Sequence, residues 1–321
     1  MDWSRIKRKR AAPRKAAGVY ADLDELIRIQ FKARDFSFQP RQPVTSILSG
    51  RYASRLRGRG LNFEELRRYL PGDDIRTMDW KVTARTRSPH VRVYTEEKDR
   101  GMLLLVDQRQ NMFFGTRDKL KSVTAAELAA LAAWRALAVG DRVGAIVFND
   151  NELVEIRPQR SRQTVMQILG EVVRQNHALS ADSTVSPNPG QLNRAIEKAR
   201  VLAPHDVLVV VVSDGLGTDA QTEKRTAQLV AHNDILTLLV HDPMRLEPAS
   251  QRLTVSDGSL QMDLDLANRS VSEKVVADYR EEQQRLAHFL RRLSAPLLMI
   301  SNQGDVVAQV RRHLGVPGRT P

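Results

Sequence analysis

Apolar positions along the chain fall into distinct rhythms, and each rhythm predicts an element. Short unbroken runs mark buried strands. Met102-Leu103-Leu104-Leu105-Val106 runs into Asp107, and the stretch from Val207 to Val212 runs into Ser213-Asp214-Gly215. A run of this length, closed by turn residues and followed by a helical pattern, reads as a parallel strand covered on both faces. Val143 to Phe148, Ile235 to Val240 and Pro296 to Ile300 repeat it. Leu153 to Ile156, just past the Asn149-Asp150-Asn151 turn, reads as a hairpin partner. Between these runs the apolar spacing becomes helical. Leu120 to Trp134 is one helix, closed by Gly140-Asp141; Val165, Ile168, Leu169, Val172 and Val173 stripe another. Further helices run from Leu192 to Val201, Thr222 to His232, Val271 to Leu293 and Val306 to Leu314, the last ended by Gly315 and Pro317. Strands alternating with helices predict an α/β fold with a doubly wound, mostly parallel sheet.

The stretches outside this alternation divide the chain. Residues 1–43 hold a basic tail (Arg5, Lys7, Arg8, Lys9, Arg10, Arg14, Lys15) and then a helix whose Leu23, Leu26, Ile27 and Phe31 form one apolar face that docks on the body. Residues 44–100 are a β-rich extension dense in Arg and Asp. Arg51, Arg55, Arg57, Arg59, Arg67, Arg68, Arg76, Lys81, Arg85 and Arg87 alternate with Glu64, Glu65, Asp73, Asp74 and Asp79, and neither the helical nor the strand period dominates. Pro71-Gly72 predicts a turn with the glycine at positive φ. Val91 to Glu96 alternates like a strand with one wet face. Residues 101–321 form the α/β domain, with a polar hairpin excursion at 243–270 around Ser256-Asp257-Gly258-Ser259.

Composition narrows the classes. The chain has 321 residues, 41% of them hydrophobic, enough for one large core or two smaller ones. No apolar run reaches the roughly 18–20 residues that cross a bilayer, and the charged N-terminus has no secretory signal. With no cysteine and no export signal, cytoplasm is the expected compartment. A net charge of +12 attracts polyanions. Aromatics at 5% are thin for base stacking, so no specific nucleic-acid partner is expected. The basic tail leaves polyanion binding or peripheral membrane contact open.

Little points to catalysis. The seven histidines form no HxxxH or HxH pair, and there is no Gly-x-Ser-x-Gly elbow. Gly58-Arg59-Gly60 has no preceding strand to make a phosphate loop. What remains is a pair of acid-tipped strands. In open α/β sheets ligands sit beyond the carboxyl ends of the strands, so Asp107 and Asp214 are expected at one shared site. Asn111 and a hydroxyl from the loop Ser180–Ser186 are the other oxygens that could converge there on a hard cation such as Mg²⁺.

The sequence resembles the bacterial family catalogued as domain of unknown function 58, and its α/β part resembles von Willebrand factor A-type domains. The most specific match is Arg57-Gly58-Arg59-Gly60-Leu61-Asn62-Phe63, then Leu66-Arg67-Arg68-Tyr69-Leu70-Pro71-Gly72-Asp73-Asp74-Ile75-Arg76, then Met78-Asp79-Trp80-Lys81-Val82-Thr83-Ala84-Arg85. The resemblance implies a von Willebrand factor A-like fold. It matches Asp107 to the first acid of an Asp-x-Ser-x-Ser metal loop, Thr184 (with Ser183 a near rival) to a threonine ligand, and Asp214 to the last acid. Here Arg109 and Asn111 replace the two serines. Asn111 still offers a carbonyl oxygen, whereas Arg109 brings a fixed positive charge to Asp107. The expectation is therefore no cofactor, with Mg²⁺ as the alternative. A closed ion-pair network that only orders the sheet edge is the third reading of the same residues.

The resemblance also implies a non-enzymatic adaptor or assembly factor that works with a MoxR-type AAA+ ATPase or other A-type proteins. The expected partner-binding residues are Arg109, Arg67, Asp73, Asp74, Arg76, Asp79, Trp80 and Arg85. The alternatives are a metal-dependent hydrolase using Asp107 and Asp214, and a polyanion-binding protein acting through the tail.

Overall fold

The computed structural model describes residues 18–33, 38, 61–96, 101–248, 252–256 and 261–314. The basic tail, Arg51, Arg55, Arg57, Arg59, the Gly58-Arg59-Gly60 segment, the Asp257-Gly258-Ser259 tip and the Gly315 and Pro317 helix stop lie outside these residues. The chain forms two compact units, Met1–Pro40 with Arg100–Pro321, and Arg41–Asp99.

The first helix, α1 (Leu23–Arg28), is capped by Asp22, whose side chain accepts from the Glu25 N–H. Leu26 is buried, and its carbonyl accepts from the indole Nε1 of Trp134 at 3.1 Å. The helix therefore belongs to the α/β unit. Phe31, expected on its apolar face, is exposed. The reason is a change of pitch: Ile29–Phe31 is a 3₁₀ turn, which rotates its last residue off the α-helical stripe.

The smaller unit pairs β1 (Leu61–Arg68) antiparallel with β2 (His90–Glu96), and α2 (Trp80–Thr86) lies between them in sequence. The register shifts between Phe63 and Glu65. A shift of this kind breaks the two-residue alternation, which is why no strand period shows in this stretch of sequence. The turn expected at Pro71-Gly72 is closed by the Asp73 N–H donating to the Leu70 carbonyl at 3.0 Å, with Gly72 at φ +106°.

The α/β unit continues as β3 (Gly101–Asp107), α3 (Lys121–Ala138), β4 (Arg142–Phe148), β5 (Leu153–Gln159), α4 (Arg162–His177), α5 (Gly190–Leu202), β6 (Val207–Ser213), α6 (Ala220–Val230) and β7 (Asp234–His241). It ends with the hairpin β8 (Arg252–Ser256) and β9 (Gln261–Asp265), then α7 (Arg269–Arg292), β10 (Leu297–Ser301) and α8 (Val306–His313). The six-stranded sheet runs in the order β10-β7-β6-β3-β4-β5, and every pairing is parallel except that of β4 with β5. This is a doubly wound, mostly parallel sheet with helices on both faces.

Successive residues of β3 feed opposite layers, as strand geometry requires. Met102, Leu104 and Val106 pack with alanines and leucines of α3 and with Val165, Ile168 and Leu169 of α4. Leu103 and Leu105 pack with Leu192 and Ile196 of α5, Leu229 of α6 and Phe289 of α7. The chain leaves β3 toward β4 on one side and returns to β6 on the other. The carboxyl ends of β3 and β6 therefore form the switch point, where doubly wound sheets open a crevice.

Candidate functional site

Each inner parallel strand delivers an acid to this edge: Asp107 ends β3, Asp150 follows β4, Asp214 follows β6 and Asp242 follows β7. Val106 pairs with Val212 in register, so Asp107 and Asp214 stand on neighbouring strand ends. None of the four carboxylates is idle.

Asp107 is fully buried. Its Oδ1 accepts from the Arg109 N–H and Nε, both at 3.0 Å, and its Oδ2 accepts from Arg109 Nη2 and Ser213 Oγ, both at 2.7 Å. Arg109 is only 2% exposed; its guanidinium lies over the Phe148 ring and donates to the Leu216 carbonyl at 2.9 Å. Burial works against the charge on Arg109. Asp107 outweighs that penalty with help from the charges of Asp214 and Asp150, and the pKa ends above the ordinary arginine value. The guanidinium needs room. Gly217 sits at φ +83°, and a Cβ there would come within 2.9 Å of Pro189 Cβ and 3.4 Å of Arg109 Nη1.

Asp214 is held by a second cation. Its Oδ2 accepts from Lys121 Nζ at 2.6 Å, and its Oδ1 accepts from Asn111 Nδ2 at 2.8 Å and the Leu216 N–H at 3.0 Å. Burial would raise the Asp214 pKa. Lys121, by charge and hydrogen bond, with Asn111 and the Leu216 N–H, instead brings it from 3.8 to about 2.

The other two acids tie loops to the edge. Asp150 accepts from the backbone N–H of Gln110 at 2.6 Å and of Asn188 at 2.7 Å. Asp242 accepts from the Thr116 N–H and hydroxyl, the Met244 N–H and Asn302 Nδ2.

These residues do not fit a hard divalent cation. Such an ion asks for about six oxygens. Both oxygens of Asp107 and both of Asp214 already accept bonds within the chain, from Arg109 on the first acid and from Lys121 and Asn111 on the second. Asn111 does not turn its carbonyl oxygen to the acids; it donates to Asp214. Among the described residues, no group of three or more His, Cys, Asp or Glu is arranged to hold a metal ion.

Two expected site residues are corrected by their placement. Thr184 is exposed and bonds none of the four acids. Its loop reaches the edge through other anchors: the Ser180 carbonyl, which accepts from Gln110 Nε2 at 2.7 Å, and the Asn188 N–H. Its rival Ser183 spends its hydroxyl on the Val185 N–H. Arg109, expected to meet a partner, is buried and occupied by Asp107.

In the smaller unit, Arg67, Asp73 and Asp79 are committed internally. Arg67 forks onto Asp73 with two bonds of 2.7 Å. Asp79 caps α2 through the Lys81 and Val82 N–H groups and accepts from Arg92 at 2.8 Å. Asp74, Arg76, Trp80 and Arg85 are exposed.

The sequence reading missed Lys121, Ser213, Asp150 and Asp242. Asp150 and Asp242 follow the same cue that found the first two acids, an apolar run that ends in Asp. Lys121 carries a subtler cue. A cation in the first turn of a helix opposes the helix dipole and calls for a carboxylate nearby.

Comparison with known proteins places these features. The chain is 28% identical over 290 residues to the uncharacterized protein Rv1480 of Mycobacterium tuberculosis H37Rv, a match covering 88% of this chain and 87% of that one. Among solved structures it is similar to the conserved hypothetical protein BatB from Bacteroides thetaiotaomicron (TM-score 0.41, 12% identity, 67% of this chain and 97% of that chain). It is also similar to an aerotolerance-related membrane protein from Bacteroides fragilis (TM-score 0.38, 13% identity, 67% and 96%). With a neighbour described as a membrane protein, the cytoplasmic placement expected from the sequence does not stand. Among the described residues no helix is long and apolar enough to cross a membrane. The family described as protein of unknown function DUF58 matches residues 65–286, and this chain belongs to that family.

Proposed function

We propose that this protein is a non-enzymatic interaction module whose β3–β6 edge docks on a MoxR-type AAA+ ATPase, in the assembly or activation of a protein complex. One observation carries the non-enzymatic reading: both oxygens of Asp107 and both of Asp214 are taken by donors of the chain itself. A general base or a metal ligand needs a free lone pair; Asp107 has all four of its acceptor positions taken by Arg109 and Ser213, and Asp214 has three of its four taken by Lys121, Asn111 and Leu216. The edge then acts as a rigid platform. It presents Leu216, which is 41% exposed. The Leu216 N–H is held by Asp214 and its carbonyl by Arg109. An apolar side chain fixed on a preorganised loop is a suitable anchor for a partner. The partner class comes from the DUF58 resemblance and not from the geometry.

The test is co-purification with a MoxR-type ATPase from the same genome. The wild type should be retained, and Leu216→Glu should lose at least tenfold in affinity with an unchanged melting temperature. Equal retention of the variant removes Leu216 and this edge from the interface. In parallel, millimolar Mg²⁺ or Mn²⁺ should leave the melting temperature of the wild type where it was. A clear upward shift would instead favour a metal-dependent hydrolase.

A further inference from the structure

The smaller unit sorts its side chains in an unusual way. Two of its acids turn inward: Asp79 is buried under Arg92 and the α2 N-terminus, and Asp73 is clamped by Arg67 and the Leu70 N–H. Its large apolar groups do the opposite. Leu70 is 59% exposed, Ile75 63% and Trp80 69%, although residues of these types are ordinarily buried. Exposed cations stand among them: Arg68, Arg76, Lys81, Arg85 and Arg87, none of which has an ion-pair partner among the described residues. Asp74 is the one exposed carboxylate between Arg68 and Arg87. Within α2 the sorting follows helix geometry. Val82 and Thr83 are half-buried, while Trp80, Lys81, Ala84 and Arg85 are exposed, with Lys81 and Arg85 one turn apart.

We propose that this surface binds the anionic face of a lipid bilayer. The chemistry matches on both counts. Trp80, Ile75 and Leu70 supply apolar and amphipathic groups that partition into the headgroup region, where tryptophan is favoured. The arginines and Lys81 supply attraction to acidic headgroups, an interaction that adds up charge by charge. An interfacial apolar group and a cationic cluster are the paired signals that stable peripheral attachment requires. An acidic protein would satisfy the charge, but it would ordinarily receive exposed apolar groups in a groove. This surface is separate in sequence from Leu216 and independent of the ATPase reading.

The experiment is flotation of the full chain with vesicles of phosphatidylcholine alone, and with vesicles of phosphatidylcholine and phosphatidylglycerol in equal parts. The wild type should float with the anionic vesicles only, and salt should release it. Arg76→Gln with Lys81→Gln should weaken binding roughly thirtyfold, at about fivefold per removed charge. Ile75→Ser with Trp80→Ser should weaken it at least tenfold while keeping the salt dependence of what remains. Both double variants alter exposed side chains and should melt at the wild-type temperature. Intrinsic tryptophan emission should shift to the blue on adding anionic vesicles, and Trp80→Phe should remove that shift. Vesicle binding that survives both double variants belongs to the basic tail and overturns the proposal. A wild type that ignores vesicles but is held by an acidic polypeptide resin, and released by the same substitutions, assigns the surface to a protein and overturns it equally.

Discussion

Both units of this protein pair arginine with aspartate through two-pronged bonds, yet water treats the pairs differently. In the α/β unit the Arg109–Asp107 pair has side chains 2% and 0% exposed; in the smaller unit the Arg67–Asp73 pair has 39% and 19%. Distance does not separate them, since the shortest bond is 2.7 Å in both. Solvation does. Removing a charge from water costs several kcal/mol, and a buried pair recovers that only while both members stay. An exposed pair loses little on forming and gains little, about 0–1 kcal/mol. The same residue types therefore make a fixed structural joint at one location and an adjustable surface at the other. The buried joint holds the loop that presents Leu216. Beside the exposed pair, Arg68 and Arg76 are exposed and have no ion-pair partner among the described residues.

The largest effect expected from this contrast is at Arg109. Arg109→Met strands the Asp107 carboxylate in a dry site and should cost about 3–5 kcal/mol in urea unfolding. Asp107→Asn combined with Arg109→Met should recover most of that loss, because no unpaired charge remains. Non-additivity of this kind is what a double-mutant cycle isolates. Additive losses in the two single variants would mean that the pair is hydrated, and the contrast with Arg67–Asp73 would collapse.

Next in size is the acid response of Asp214. Its pKa falls from 3.8 to about 2 on folding. A depressed carboxylate adds stability that is complete above its unfolded value and is lost as pH falls through its folded value. The drop is worth about 2.5 kcal/mol at neutral pH, at roughly 1.4 kcal/mol per unit. It should disappear between about pH 4 and pH 2. Lys121→Met removes the largest opposition to burial and leaves only the Asn111 and Leu216 N–H bonds against it, so the Asp214 pKa should rise. The stability gap between wild type and Lys121→Met should be widest at pH 7, begin to close as pH falls through the raised Asp214 pKa of the variant, and go on closing to about pH 2 as the wild type loses its own contribution. A gap that stays constant with pH would dissociate Lys121 from Asp214.

Physical reasons decide which of these features could be read from the sequence. β3 and β6 were legible because a parallel strand covered on both faces must be apolar throughout, and Asp107 and Asp214 stood out as the residues that end such runs. Asp150 and Asp242 end runs of the same kind, but Asn149-Asp150-Asn151 also satisfies a turn pattern, and turn chemistry hid the acid. Lys121 offered only the cue of a cation opening a helix, and that cue does not name its partner, which lies 93 positions away and is brought to it only by folding. β1 was hidden by its register shift, and the exposure of Phe31 by a local change of pitch. The two-pronged use of Arg67 was legible as a type of bond. The choice of Asp73 over Asp74 was not, since it depends on the turn that Gly72 permits.

The smallest effects belong to the smaller unit, and they sharpen the contrast by their size and order. Asp79→Ala removes the α2 cap and the Arg92 pair together, so it should lower the melting temperature measurably. Arg67→Met removes only one exposed partner. Asp73 keeps the Leu70 N–H and gains water, so the melting temperature should move by no more than about 2 °C. Hydrogen bonding to Arg67 and to the Leu70 N–H, opposed by burial, holds the Asp73 pKa below its ordinary value. In Arg67→Met that pKa should rise toward 3.8, and NMR titration of the Asp73 carboxyl carbon reads this directly. A large loss of stability from Arg67→Met would show that exposure does not rank these pairs. The joint at Asp107 would then owe its strength to something other than the absence of water.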